Sequence, residues 1–227
     1  MTVAASLDRV RDEIANAARQ AGRVPSTVRL VAVSKTKPAD LVDEAARAGQ
    51  VIFGENYVQE LVEKARLVAE PVEWHFIGHL QSNKVKYIAG LVSMIHSVDR
   101  FSLAREIDRQ WERLGQVCDV LVQVNVSGEA TKSGTTAAAA IDLVRQVAQL
   151  PHLRVRGLMT MPPFYDDPEG ARPYFRQLQE IGEEIGRLAI PGVSMAELSM
   201  GMSGDFVPAI AEGATLVRIG SAIFGSR

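Results

Sequence analysis

The chain has 227 residues, 47% of them hydrophobic and 23% charged, the mixture of a globular protein with one large core. Its formal net charge of −2 gives no electrostatic ground for nucleic acid or an anionic membrane as partner, and no apolar run approaches the ~18 residues of a membrane span. The single cysteine, Cys118, reads as a buried core residue in a reducing cytosol, and charge at Asp8 and Arg9 arrives too early for a secretory signal.

Leu7, Val10, Ile14, Ala17 and Ala21 recur at helical spacing, so the chain opens with a helix. Short β-branched runs then alternate with longer amphipathic segments. Strands are predicted over 28–33, 51–53, 74–77, 93–96, 120–125, 154–158, 196–198 and 216–219. Helical patterns lie between them, over 39–48, 57–69, 82–89, 101–114, 136–150, 168–188 and 206–212. Strands separated by helices of this length are the signature of parallel βαβ units, and eight of them imply a closed (β/α)8 TIM-type barrel. Only residues 221–227 follow the last strand, so the opening helix is expected to cover part of the surface a closing helix would take. The stretch 161–168, rich in proline and aspartate, reads as one βα loop of a single domain spanning 1–227.

Barrel sites gather where strands end. Residues just past the predicted strands include Lys35, Asn56, His79, His96, Asn125, Thr160, Ser199 and Ser203, and Gly220 with Ser221. A lysine directly after an apolar strand is held against a dry interior, which favours its neutral amine, the form that attacks an aldehyde. After the seventh and eighth strands, Ser199, Gly201, Ser203 and Gly204, then Gly220 and Ser221, offer backbone amides and hydroxyls to a phosphate. Arg218 ends an apolar strand and has to find a partner. An amine and a phosphate cradle on one rim point to a phosphorylated aldehyde. Pyridoxal 5′-phosphate (PLP) fits, and so does the substrate of a sugar-phosphate aldolase.

Seven motifs then carry a resemblance. They are Ala32-Val-Ser-Lys-Thr-Lys-Pro38, Phe53-Gly-Glu-Asn-Tyr-Val-Gln-Glu60, His75-Phe-Ile-Gly-His-Leu-Gln-Ser-Asn-Lys84, Lys132-Ser-Gly134, Arg156-Gly-Leu-Met159, Leu198-Ser-Met-Gly-Met-Ser203 and Val217-Arg-Ile-Gly-Ser-Ala-Ile-Phe-Gly225. With them the chain resembles, from end to end, the pyridoxal phosphate homeostasis protein family, a single-domain relative of the alanine racemase barrel. The resemblance implies a fold like that of type III PLP proteins. It implies PLP held as a Schiff base on Lys35, Asn56 beside it, Arg218 facing the pyridine nitrogen, and Ser199, Ser203, Gly220 and Ser221 around the phosphate. It implies a role in keeping intracellular free PLP in balance, without a robust catalytic activity and with no catalytic residue assigned.

Competing readings narrow this picture. His75 and His79 are four apart, but they straddle a strand end and lack a third ligand, so no metal is expected. His96 and His152 read as loop or strand-end residues. Lys84 and Lys132 read as solvated rim lysines, and the methionines of 195–202 as packing. An amino-acid racemase is the alternative. A two-base racemase of the related fold draws its second base from a β-domain, and the chain stops at Arg227 with nothing to build one. The expected protein is a cytoplasmic monomer, with apo PLP enzymes as recipients and no nucleic acid or membrane partner.

Overall fold

A computed structural model describes residues 2–129 and 132–225. The chain opens with α1 (Val3–Gln20), started by the Thr2 hydroxyl, which accepts the amide of Ala5 at 3.3 Å. The barrel follows as β1 (Arg29–Val33), α2 (Ala39–Arg47), β2 (Ile52–Glu55), α3 (Val58–Leu67), β3 (Glu73–Phe76), α4 (Val85–Ile88), β4 (Met94–Val98) and α5 (Phe101–Glu112). The second half runs β5 (Cys118–Asn125), the two-residue β6 (Thr135–Thr136), α6 (Ala137–Val147), β7 (Leu153–Met159), α7 (Arg172–Arg187), β8 (Val193–Met202), α8 (Phe206–Ala211), β9 (Leu216–Ile219) and the one-turn α9 (Ser221–Phe224).

All strand pairings are parallel, in the order β4-β3-β2-β1-β9-β8-β7-β5, and β4 pairs with β5 to close the ring. β6 lies outside the ring, on β5. The expected (β/α)8 barrel with an extra opening helix is therefore the fold. Both faces of each strand are covered, which is why β1, β5 and β9 read as runs rich in Val, Ile and Leu. The outer faces join the helices in the main core. α1 buries Leu7, Val10, Ile14 and Ala17 and packs against α2, α8 and α9, the surface expected of it. Ser226 and Arg227, part of the stretch expected after the last strand, lie outside the described residues. No described helix is long and apolar enough to cross a membrane.

Inside the ring, Val31, Ile52, Met94, Leu121, Met159 and Leu216 form a separate buried cluster. Side chains alternate along a strand. Two residues further on from Ile52, Met94, Leu121 and Leu216 come Gly54, His96, Gln123 and Arg218, again toward the interior and nearer the strands' C-terminal ends. An apolar floor thus carries a polar layer, and the polar layer underlies the site.

Two sequence readings are corrected here. His96 lies within β4 and is wholly buried rather than at a strand end. Ser199 and Gly201 belong to β8, not to a loop. Their Ser-Met-Gly composition suggests a turn, but β7 and β9 pair with β8 on both sides and extend it through Met202. At Gly201 (φ +90°) an added Cβ would stand 2.7 Å from that of Ala209, so only glycine lets α8 close over the strand.

Candidate cofactor site

At the C-terminal ends of the strands a cavity of about 370 Å³ opens, lined on its polar side by Lys35, Asn56, Ser203, Asp205, Arg218 and Ser221. Gly220 and Gly204 also line it, and so do Val33, Ile77 and Met202. The far wall is apolar and comes from the loop after β7, with Met161, Phe164, Tyr165 and Pro168. Of the seven residues singled out from sequence, six line this cavity. Ser199 does not; it is wholly buried in the polar layer below.

Lys35 follows β1 in a tight turn and is partly buried. The next residue, Thr36, has φ +62°, a conformation costly for a β-branched side chain. A buried ionic cluster holds this turn. Lys64 Nζ donates to the Ser34 carbonyl at 2.5 Å, to Glu55 at 2.7 Å and to Glu60 at 2.6 Å. Ser34 Oγ donates to Glu55 at 2.7 Å, and the Thr36 amide donates to Glu60. Burial pushes the Glu55 carboxyl above its ordinary range, opposed by hydrogen bonds from Lys64 and Ser34. Sequence reasoning missed this cluster because it placed Glu55 on the rim, past a strand that in fact extends through it.

Asn56 follows β2, and the close approach of Gly78 fixes its backbone: a Cβ there would meet Asn56 O at 2.2 Å. Asn56 lines the cavity, and its Oδ1 atom is buried without a protein partner, an acceptor that the protein leaves unsatisfied.

Arg218 is nearly fully buried at the floor. Its Nη1 donates to Ser199 Oγ at 2.6 Å and its Nη2 to the Thr160 carbonyl at 2.9 Å. Burial lowers its pKa to about 10, with Asp205 acting in the opposite sense, so it stays charged at neutral pH. Asp205, which the sequence reading did not single out, accepts the Met202 amide at 2.6 Å, and burial raises its pKa. Behind Ser199 stand the two buried histidines. His96 Nδ1 is 2.9 Å from Ser199 Oγ, and His96 Nε2 is 2.9 Å from His75 Nδ1. Burial drives His75 down to about 3, and burial followed by His75, Arg218 and Arg29 drives His96 well below its ordinary value.

On the opposite wall, Ser203 closes the β8–α8 turn, and its Oγ accepts from Ser221 Oγ at 3.2 Å. Gly220 precedes α9, and the first amides of a helix have no intrahelical acceptor. Two loops thus turn hydroxyls and open amides to one place, the donor set a phosphate needs.

Other candidate residues lie elsewhere. His79 is half-exposed near Asp99, away from His75, and no metal-binding group of three occurs among the described residues. Lys84 stands over the Tyr87 ring, and Lys132 pairs with Glu129 at 3.2 Å. Cys118 is buried, its thiol pKa raised by burial, as expected of a core residue.

The geometry brings an amine, a buried arginine and two serine hydroxyls to one cavity on a parallel barrel, and comparison with known proteins says which family this is. The family model described as alanine racemase, N-terminal domain, matches residues 5–227. The pyridoxal phosphate homeostasis protein of Aquifex aeolicus is 45% identical over 228 residues, covering 100% of this chain and 99% of that protein. That of Escherichia coli K12 is 44% identical over 234 residues, covering 99% and 97%. Among solved structures, PipY of Synechococcus elongatus PCC7942 with PLP bound superposes with a TM-score of 0.86 at 34% identity, covering 99% of this chain and 100% of that one. The chain belongs to the alanine racemase N-terminal domain family and, within it, to the pyridoxal phosphate homeostasis proteins.

Proposed function

We propose that this chain binds PLP reversibly in the cavity above Arg218, through Lys35, and holds the cofactor without acting as an efficient enzyme on amino acids. The relatives' names and the PLP-bound PipY structure support the ligand. The residues present fit it. PLP supplies an electrophilic aldehyde, and Lys35 supplies the amine. Asn56 Oδ1 offers its open acceptor to a hydroxyl of the ring. Ser203, Ser221 and the amides following Gly220 receive the phosphate. Ser199 acts on Arg218 rather than on the phosphate, because its hydroxyl is already engaged below the cavity.

The observation that carries the non-enzyme reading is the guanidinium at the floor. PLP enzymes that gather negative charge on the ring usually protonate its nitrogen, often with a carboxylate holding the proton. Arginine only donates and is always charged, so it engages the nitrogen lone pair and opposes a second positive charge there. The carboxylate in the wall, Asp205, is engaged by the Met202 amide. A protein of this kind keeps a reactive aldehyde in balance inside the cell, as a monomer, and passes it to apo PLP enzymes.

The test is α-proton exchange for a panel of L-amino acids in deuterated water with the PLP-loaded chain. Exchange far slower than about 1 per second supports the reading. Exchange at that rate or faster favours a racemase-type enzyme.

A further inference from the structure

We infer that Ser199, His96 and His75 form a one-way hydrogen-bond chain whose task is to position Arg218 against the ring nitrogen of the cofactor. This rests on the reading that PLP occupies the cavity.

The direction of the chain follows from its first member. Arginine has donors only, so at 2.6 Å Ser199 Oγ must accept from Arg218 Nη1. The serine has one hydrogen to place. Its other neighbour is His96 Nδ1 at 2.9 Å, and the site is wholly buried. If His96 instead donated from Nδ1, the serine hydrogen would be left in the barrel interior with neither neighbour able to accept it, a costly arrangement. Nδ1 of His96 is therefore bare, and the neutral ring carries its proton on Nε2. That proton is donated to His75 Nδ1 at 2.9 Å, which makes His75 also bare at Nδ1 and protonated at Nε2. Arg218 has imposed the tautomer of two rings below it.

Electrostatics keeps the rings neutral. Both histidines are buried, each is close to the other, and Arg218 and Arg29 oppose further positive charge on His96. Neither ring titrates in the neutral range, and neither faces the cavity. The pair is suited to neither acid–base chemistry nor metal binding. What it does is geometric. Ser199 holds one Arg218 nitrogen, and the Thr160 carbonyl holds another at 2.9 Å. With two N–H groups so fixed, the planar fork has a set orientation, and its remaining edge faces the cavity. A serine without an acceptor behind it could rotate its hydroxyl and release that edge. His96 and His75 are positioning residues acting through Ser199.

Nitrogen-15 NMR of the histidines in the full chain without cofactor reads the tautomers directly. Bare Nδ1 and protonated Nε2 on both His75 and His96 are expected; a proton on Nδ1 of His96 overturns the inference even if no variant folds. PLP titration then reads the consequence. His96→Leu should weaken PLP binding about tenfold. His96→Asn, whose Oδ1 stands near the place of Nδ1, should recover most of the loss. A PLP analogue with carbon in place of the ring nitrogen should bind the wild-type chain and His96→Leu equally. If the leucine variant binds PLP like wild type, if asparagine fails to rescue, or if the analogue suffers the same loss, the histidines are only packing. If the wild-type chain itself does not bind PLP, the proposed function fails first, and the two failures are told apart.

Discussion

Lys64 shows how much of this site depends on residues that never touch the cavity. Its side chain is 6% exposed between Glu55, whose side chain is 0% exposed, and Glu60, and its ammonium also holds the carbonyl of Ser34, one residue before Lys35. Removing one partner of a buried ion pair leaves an uncompensated charge, which is costlier than never having had the pair. Lys64→Met should therefore destabilise the chain by about 3–5 kcal/mol in urea unfolding, and Glu55→Gln in the same background should recover part of the loss. A change under about 1 kcal/mol would mean that the cluster is already solvated or neutral. The cluster was not legible in the sequence. Lys64 and Glu60 share a helix face at i, i+4, which looks like an ordinary exposed pair, and only the extension of β2 by two residues, Gly54 and Glu55, brings Glu55 beneath them. Lys35, by contrast, was legible because a lysine directly after an apolar strand has few places to go in a barrel.

At the scale of elements, strand alternation was readable and strand register was not. Met94 and His96, Ile52 and Gly54, and Leu216 and Arg218 are each two apart, so each pair shares a face. Nothing in one sequence says that the ring of His96 on β4 reaches His75 on β3, whose register partner is Met94, and also Ser199 on β8; closure of the sheet decides that. The polar layer so formed has a consequence for stability. His75 has a folded pKa near 3 against an ordinary 6.5, and His96 is lowered too. A histidine lowered on folding gives stability that is present above pH 6.5 and is lost as pH falls toward its folded value. Between pH 6.5 and 5, above most carboxylates, the unfolding free energy should fall by up to about 1.4 kcal/mol per pH unit for each histidine. Glu55, raised on folding, acts in the opposite sense. Urea unfolding across that window should show a shallower slope in His75→Asn than in the wild-type chain. Equal slopes would mean that the pair is not held neutral.

For the whole molecule, eight parallel strands bring together residues nearly two hundred positions apart. Lys35 and Asn56 come from the first two units of the barrel, and Ser203, Arg218 and Ser221 from the last two; β1 and β9 are neighbours because the ring closes. The barrel itself was legible from alternation and length, and six of the seven residues that the sequence singled out line one cavity. The rim rule failed for Ser199, where a Ser-Met-Gly run that looks like a loop is strand, and it passed over the apolar wall from the 161–168 loop and Asp205. The central claim is that this rim holds PLP through one particular lysine. The direct measurement is to load the chain with PLP, record its absorbance, reduce with borohydride and map the labelled peptide. The account predicts a yellow protein whose colour is lost on reduction, with one pyridoxyl group on Lys35. A label found mainly on Lys37, Lys84 or Lys132, or no covalent label at all, would contradict it.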